Sequence, residues 1–117
     1  MTLTPSTFFG ALSHDTRLRT LMLLSRHSEL CVCELTYAIG VSQPHLSRHL
    51  AQLREQGLVV DRRASTWIYY RINPNLPDWA KTLLRNAEVG LTSTAPFIDD
   101  SLALSAMPNR PDAPRCA

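Results

Sequence analysis

The segment GVSQPHLSRHLAQLREQG, residues 40–57, constrains the fold of this chain more strongly than any other stretch. Its apolar residues recur every three or four positions, which is the spacing of one face of an α-helix. That face consists of Leu46, His49, Leu50 and Leu53. Because Ser42 is a favourable N-cap and Gly57 a favourable terminator, the pattern predicts an amphipathic helix whose leucine face packs on the protein body.

The opposite face of this helix is polar, especially near its N-terminus. At about 100° of rotation per residue, the side chains that point away from the leucines include His45, Ser47 and Arg48. A recognition helix in the DNA major groove reads base edges with residues of this kind. The predicted DNA contacts on the helix are Gln43, His45, Ser47 and Arg48. His49 belongs to the leucine stripe, so we expect it to pack between the helix and the body.

Shorter elements surround the predicted recognition helix. Thr4 and Pro5 favour a first helix that ends near Ser13, and a second helix, capped by Ser13 or Asp15, ends near residues 26–27. A short third helix ends at Gly40. Downstream, LVVDRRASTWIYYRI has β-branched and aromatic residues on both sides of RRAS, which predicts a hairpin with Arg62 and Arg63 near its tip. A last helix follows Pro77.

This order of elements predicts a mainly α-helical protein with a small β-hairpin, a winged helix-turn-helix. We expect residues 1–89 to form the DNA-binding and sensing domain. The final 28 residues contain four of the eight prolines among Ser, Thr and Ala, so we expect residues 90–117 to form a flexible, largely disordered tail.

Charge and composition agree with a DNA-binding protein. The net charge is only +2, but five arginines lie between residues 42 and 71 against two acidic residues. Such a basic stretch suits double-stranded DNA, because each neutralised phosphate releases counterions. No apolar run approaches the ~20 residues that span a bilayer, and the N-terminus does not resemble a signal peptide. We therefore expect a cytoplasmic protein without a membrane partner.

The segment ELCVCEL, residues 29–35, contains two of the three cysteines. Cys31 and Cys33 could be small core residues or a pair of ligands. In an extended segment both sulfurs point to the same side, whereas in a helix they lie about 200° apart. Thiols at a helix N-terminus have a lowered pKa, and thiolates select soft ions. These features favour a ligand pair next to the third helix.

Several segments together resemble the ArsR/SmtB family of metal-sensing repressors, and most closely its arsenic-responsive members. They are ALSHDTRLRTLMLL, ELCVCEL, SQPHLSRHLAQLREQGLV and WIYYRI. The resemblance implies a homodimer, joined through its first and last helices, that binds operator DNA and dissociates when an inducer binds. It also implies that the inducer is As(III) or Sb(III), held by Cys31 and Cys33, with no permanent cofactor.

One position departs from that family pattern. Many arsenic repressors have a third cysteine three residues after the second, and this chain has Thr36 there. The third sulfur is then absent or comes from elsewhere. Cys116, the remaining cysteine of the chain, is a candidate third ligand. Alternatively, a small cellular thiol provides the third sulfur, and Cys116 is an incidental residue near the C-terminus.

Two other functions remain open at this point. A cadmium, lead or zinc sensor of the same family is the first, although no cysteine precedes Cys31 and the last predicted helix has no histidine. The second is a thiol-redox regulator in which Cys31 and Cys33 form a disulfide. An enzyme is not expected, because no Ser/His/Asp arrangement, carboxylate pair or phosphate-binding loop is evident.

Overall fold

The computed structural model describes residues 3–108. Within this range it contains six helices and three strands: α1 Pro5–Leu12, α2 Asp15–Arg26, β1 Leu30–Cys31, α3 Val32–Ile39, α4 Gln43–Glu55, β2 Val59–Ala64, β3 Trp67–Ile72, α5 Asp78–Leu91 and α6 Phe97–Ala106. None of the helices found between residues 3 and 108 is long and apolar enough to cross a membrane.

The helices begin and end where side chains satisfy their free backbone groups. Thr4 Oγ1 accepts a hydrogen bond from the N–H of Thr7 at 3.1 Å, as its position before Pro5 predicts. The cap of α2 is His14, whose Nδ1 accepts from the N–H of Thr16 at 3.2 Å, and not Ser13 or Asp15 as predicted.

The predicted helix-turn-helix consists of α3, residues 40–42 and α4. Gly40 ends α3 with a φ of +80°, a left-handed conformation that favours glycine. Ser42 caps α4, as expected. The leucine stripe of α4 is buried completely: Leu46, Leu50 and Leu53 are each 0% exposed. Their burial holds α4 on the body while its other face stays open.

The wing is larger than a hairpin. Its sheet has the strand order β1-β3-β2, all antiparallel, and Cys31 in β1 lies opposite Tyr69 in β3. β2 runs through Ala64, so the turn consists of Ser65 and Thr66. Arg62 and Arg63 lie near this tip, as predicted, but within β2 and not in the turn itself.

The region after residue 90 also differs from the prediction. α5 extends to Leu91, and α6 packs mainly on α3 and also on α2, with Leu104 fully buried. The prolines that suggested disorder flank α6, since Pro96 precedes it and Pro108 follows it. The predicted disorder is thus wrong for α6, whereas residues 109–117, including Cys116, lie outside the described residues.

Candidate functional site

The N-terminal half of α4 presents an open polar face. Gln43, Ser47 and Arg48 are all exposed, on the side of the helix away from the buried leucines. Ser42 Oγ accepts a hydrogen bond from the N–H of His45 at 3.3 Å, which keeps the first turn regular. The three exposed side chains can therefore contact the same partner molecule at the same time.

Two histidines of α4 face the protein instead. His45 Nε2 lies 3.1 Å from the hydroxyl oxygen of Thr16, at the start of α2. His49 is half-buried, and its ring centroid lies 4.3 Å from that of His14. Burial lowers the pKa of His49, and the neighbouring histidines and arginines act in the same direction. The expectation that His49 packs between α4 and the body is confirmed.

Arg17 in α2 joins these histidines to the first helix. Its guanidinium donates to the carbonyl oxygens of Ala11 (3.1 Å) and Gly10 (3.3 Å) at the end of α1. It also lies 3.3 Å from Nδ1 of His49 and donates to the side chain of Gln52 at 3.2 Å. One side chain thus fixes the orientation of α4 relative to α1.

The two arginines of the wing have different surroundings, although they are adjacent in β2. Arg62 pairs with the carboxylate of Glu29 through two hydrogen bonds of 2.7 Å. Arg62 also stacks on Tyr69, with 4.7 Å between its guanidinium carbon and the ring centroid. Arg63 is exposed and, as the next residue of the strand, points to the opposite face of the sheet. Arg63 is therefore the more accessible cation.

The cysteine pair lies at the junction of β1 and α3. Cys31 is the last residue of the strand and the N-cap of the helix, and Cys33 is the second residue of α3. The two sulfurs are 3.7 Å apart. At this separation they subtend about 107° at an ion about 2.3 Å from each, the usual length of a zinc–thiolate bond. The junction therefore brings both sulfurs within reach of one soft ion.

The ionisation of Cys31 differs from the expectation. Burial raises the pKa of the Cys31 thiol to about 11, and the carboxylate of Glu34 adds to this effect. Hydrogen bonds from the backbone at the helix N-terminus act in the opposite direction but do not compensate. The prediction of a lowered pKa is wrong here, because the side chain is only 1% exposed. Near neutral pH this thiol carries its proton.

Glu34 and Thr36 support the helix next to the pair. Glu34 Oε1 accepts a hydrogen bond from the N–H of Cys31 at 2.9 Å as part of a capping box. The hydroxyl of Thr36 donates to the carbonyl oxygen of Cys33 at 3.0 Å. Residues 3–108 contain no group of three or more His, Cys, Asp or Glu side chains that could hold a metal ion. A third ligand would therefore come from outside the described range or from solution.

The cysteine pair is covered by apolar side chains. Cys31, Cys33 and Met107 form one buried cluster, and Trp67 and Tyr69 of the wing pack against it. Cys33 is 8% and Met107 5% exposed. The site therefore contacts the wing on one side and the end of α6 on the other.

The fold and the open face of α4 define a winged helix-turn-helix DNA-binding protein. Residues 14–60 match the model of the family described as "Bacterial regulatory protein, arsR family". The chain is 46% identical over 113 residues to the arsenic resistance transcriptional regulator ArsR1 of Pseudomonas putida, covering 96% of this chain and 86% of the relative. It belongs to the ArsR family of bacterial transcriptional regulators.

Solved structures agree with this assignment. The homodimeric winged helix-turn-helix domain of Mb0332 from Mycobacterium bovis superposes with a TM-score of 0.61 at 30% identity, over 73% of this chain and 75% of that one. The AntR antimony-specific transcriptional repressor superposes with a TM-score of 0.60 at 30% identity, over 78% and 82%.

Sequence reasoning missed several residues that contribute to these sites. Arg17 was not singled out, although a basic residue next to a predicted cap is a weak signal of a cross-helix contact. Glu34, three residues after Cys31, matches the spacing of a capping box and could have been recognised. No sequence signal indicated Met107, because its contact with the cysteines depends on how α6 packs.

Proposed function

We propose that this protein is a transcriptional repressor that responds to trivalent arsenic or antimony. It binds operator DNA as a dimer and dissociates when the metalloid binds Cys31 and Cys33. The observation that carries the proposal is the separation of 3.7 Å between two buried sulfurs at the start of the helix-turn-helix. The similarity to an arsenic resistance regulator and to an antimony-specific repressor supports the choice of inducer.

The protonated state of Cys31 favours a neutral hydroxide over a dication. Arsenous acid, As(OH)₃, is uncharged near neutral pH. When a thiol attacks it, a sulfur–arsenic bond forms and an arsenic–oxygen bond breaks, and the thiol proton leaves with the hydroxide as water. Where both cysteines are reduced and protonated, two such steps release two waters and no net proton. A dication would instead have to expel protons into solution from a buried site.

The third coordination position of the metalloid is then filled by its remaining hydroxyl or by another thiol. Cys116 is the candidate within the chain. Closing a loop of more than eighty residues between Cys33 and Cys116 costs loop entropy that grows as about (3/2)RT ln n. We therefore assign Cys31 and Cys33 as the required ligands and Cys116 as an auxiliary one.

An exposed apolar patch supports dimerisation through the ends of the domain. Phe9 of α1 is 51% exposed, and Trp79 and Leu83 of α5 are 39% and 38% exposed. Phe8 joins the two helices, because its ring lies 5.3 Å from that of Phe9 and 5.1 Å from that of Trp79. A second copy of the chain would remove this apolar surface from water. The homodimeric state of the Mb0332 domain supports such an assembly.

For the DNA contacts we propose a division of roles. Gln43, Ser47 and Arg48 contact bases, and Arg63 contacts a phosphate, because all four side chains are exposed. His45 and Arg62 were also predicted as contacts. We now assign them mainly to holding α4 and the wing in position, through Thr16 and Glu29 respectively.

The experiment is a release titration on DNA that the protein selects from a random-sequence duplex pool. The selected sequence should be an imperfect inverted repeat, as a dimer requires. Arsenite or antimonite should release the protein at lower concentrations than Cd²⁺, Pb²⁺ or Zn²⁺. Release by the dications alone would support the cadmium, lead or zinc alternative instead, and release only after thiol oxidation would support redox sensing.

A further inference from the structure

α6 contacts the cysteine pair at one end and the helix-turn-helix at the other. Met107, directly after α6, lies in the buried cluster with Cys31 and Cys33. Its backbone N–H donates to the carbonyl oxygen of Leu104, which is fully buried in the main core. Movement of Met107 is therefore coupled to the packing of α6 on α3.

The other end of α6 is held by a buried ion pair. Asp100 is only 2% exposed, and its two carboxylate oxygens accept hydrogen bonds from Arg19 at 2.6 and 2.8 Å. The guanidinium group of Arg19 also donates to the carbonyl oxygen of Ile39 at 3.1 Å. Ile39 is the last residue of α3, and Gly40 begins the turn into α4. Arg19 thus connects α6 directly to the turn.

An ion bound by Cys31 and Cys33 needs space that Met107 now fills. The ion and its third ligand add volume to a densely packed cluster, and such interiors do not absorb extra atoms without rearrangement. Met107 is the member of the cluster at a helix end, next to Pro108, whereas Trp67 and Tyr69 belong to paired strands. The least constrained response is movement of Met107 and α6.

We propose that α6 is a strut that couples the cysteine site to the turn of the helix-turn-helix. In the DNA-binding arrangement Met107 fills the site and Asp100 holds Arg19 against the carbonyl of Ile39. Occupation of the site displaces Met107 and α6, which removes that support and lowers the affinity of α4 for DNA. The inference rests on the proposed function for the identity of the ligand, but the covering of the thiols by α6 does not depend on it.

The first test measures how well α6 protects Cys31 and Cys33 in the ligand-free, full-length protein after complete reduction of its cysteines. Alkylation by iodoacetamide is followed by peptide mapping, which separates Cys31 and Cys33 from Cys116. Asp100→Asn should raise the alkylation rate of the pair at least about tenfold, because α6 loses its charged anchor. Asp99→Asn is the matched control, since Asp99 is exposed and adjacent, and should react like the wild type. Equal protection in Asp100→Asn would overturn the strut.

The second test separates the docking of α6 from transmission to the turn. Arg19→Lys retains a cation for Asp100 but lacks the planar fork that also reaches Ile39. Its thiols should stay protected, while the ratio of operator Kd with and without arsenite should fall at least about fivefold relative to the wild type. An unchanged ratio would overturn the transmission step.

The two tests also distinguish this inference from the proposed function. If arsenite fails to release even the wild type, the assigned inducer is wrong, whereas the alkylation rates still support or overturn the covering by α6. Circular dichroism spectra that match the wild type establish that the variants are folded. If Asp100→Asn does not fold, Met107→Ala replaces it and should expose the thiols in the same way, with Leu102→Ala, an exposed position of α6, as control.

Discussion

The cysteine pair, at the start of α3, and the outer face of α4 belong to consecutive parts of the chain but have opposite physical character. Gln43, Ser47 and Arg48 are exposed and accessible to a highly charged partner. Cys31 and Cys33 are buried, and the Cys31 thiol is protonated near neutral pH. Under the proposed function, DNA binding uses the open face of α4, whereas sensing uses a closed site that must change to accept its ligand.

Removing either thiol should have the largest effect on this comparison, because it abolishes sensing and spares DNA binding. Cys31→Ser and Cys33→Ser should bind operator DNA normally and show no release by arsenite, since one thiol alone forms no chelate. Cys116→Ser should retain the response with a modest loss of sensitivity. The measurement is a release titration of the three variants at matched protein and salt concentrations. If Cys116→Ser is as unresponsive as the others, Cys116 is an obligatory ligand.

The reverse separation is expected for Arg48→Ala, which should lose specific operator binding. A good base contact contributes roughly 1–3 kcal/mol, and a dimer loses two of them. Arsenite binding to the thiols should be unchanged, because Arg48 lies on the exposed face of α4. Fluorescence anisotropy with operator and scrambled duplexes measures the specificity ratio. Arg85→Ala, an exposed arginine on α5, is the control, and equal ratios in both variants would contradict the role of Arg48.

A pH series should sharpen the chemical side of the comparison. Well below the Cys31 pKa of about 11, the thiol proton leaves with an arsenite hydroxide as water, so the apparent Kd of arsenite should stay nearly constant from about pH 6 to about pH 8. Binding of Cd²⁺ releases at least the Cys31 proton, so its apparent affinity should rise at least about tenfold per pH unit. The comparison is made on DNA-free protein by competition with a chelator for Cd²⁺ and by thiol titration for arsenite. A steep pH dependence for arsenite would contradict the neutral-condensation chemistry.

The smallest expected effect distinguishes the two arginines of the wing. Arg63→Ala should weaken operator binding and reduce the slope of log K against log salt by about 0.9 for each phosphate that the protein no longer neutralises. Arg62→Ala should leave that slope nearly unchanged, since its guanidinium already pairs with Glu29. Binding isotherms at several salt concentrations provide both slopes. Equal reductions would indicate that Arg62 leaves Glu29 to contact DNA.

Local patterns were sufficient to predict most of the helical framework. The leucine stripe of α4, the cap at Thr4 and the glycine at the end of α3 each depend on residues a few positions apart, and all three are confirmed. The winged helix-turn-helix fold followed from the order of these elements. Their geometry is local, so the sequence is informative about them.

The features that were missed depend on contacts between distant segments. β1 exists because residues 30–31 pair with β3, and α6 is stabilised by the buried pair of Asp100 with Arg19. The cysteine segment is neither wholly extended nor wholly helical, because Cys31 is extended and Cys33 lies in α3. Only the junction between strand and helix brings the two sulfurs together. The raised pKa of Cys31 likewise reflects burial by neighbours that sequence spacing does not identify.

The burial of the cysteine pair has a consequence for the speed of the response. Cys31 is only 1% and Cys33 only 8% exposed, so under the proposed function an inducer would reach both sulfurs during transient openings of the surrounding structure. At high inducer concentration the rate of binding should then level off at the rate of opening, which for local events of this kind spans microseconds to seconds. At such concentrations the delay before the protein leaves its DNA would depend on the protein's own motion and no longer on the dose.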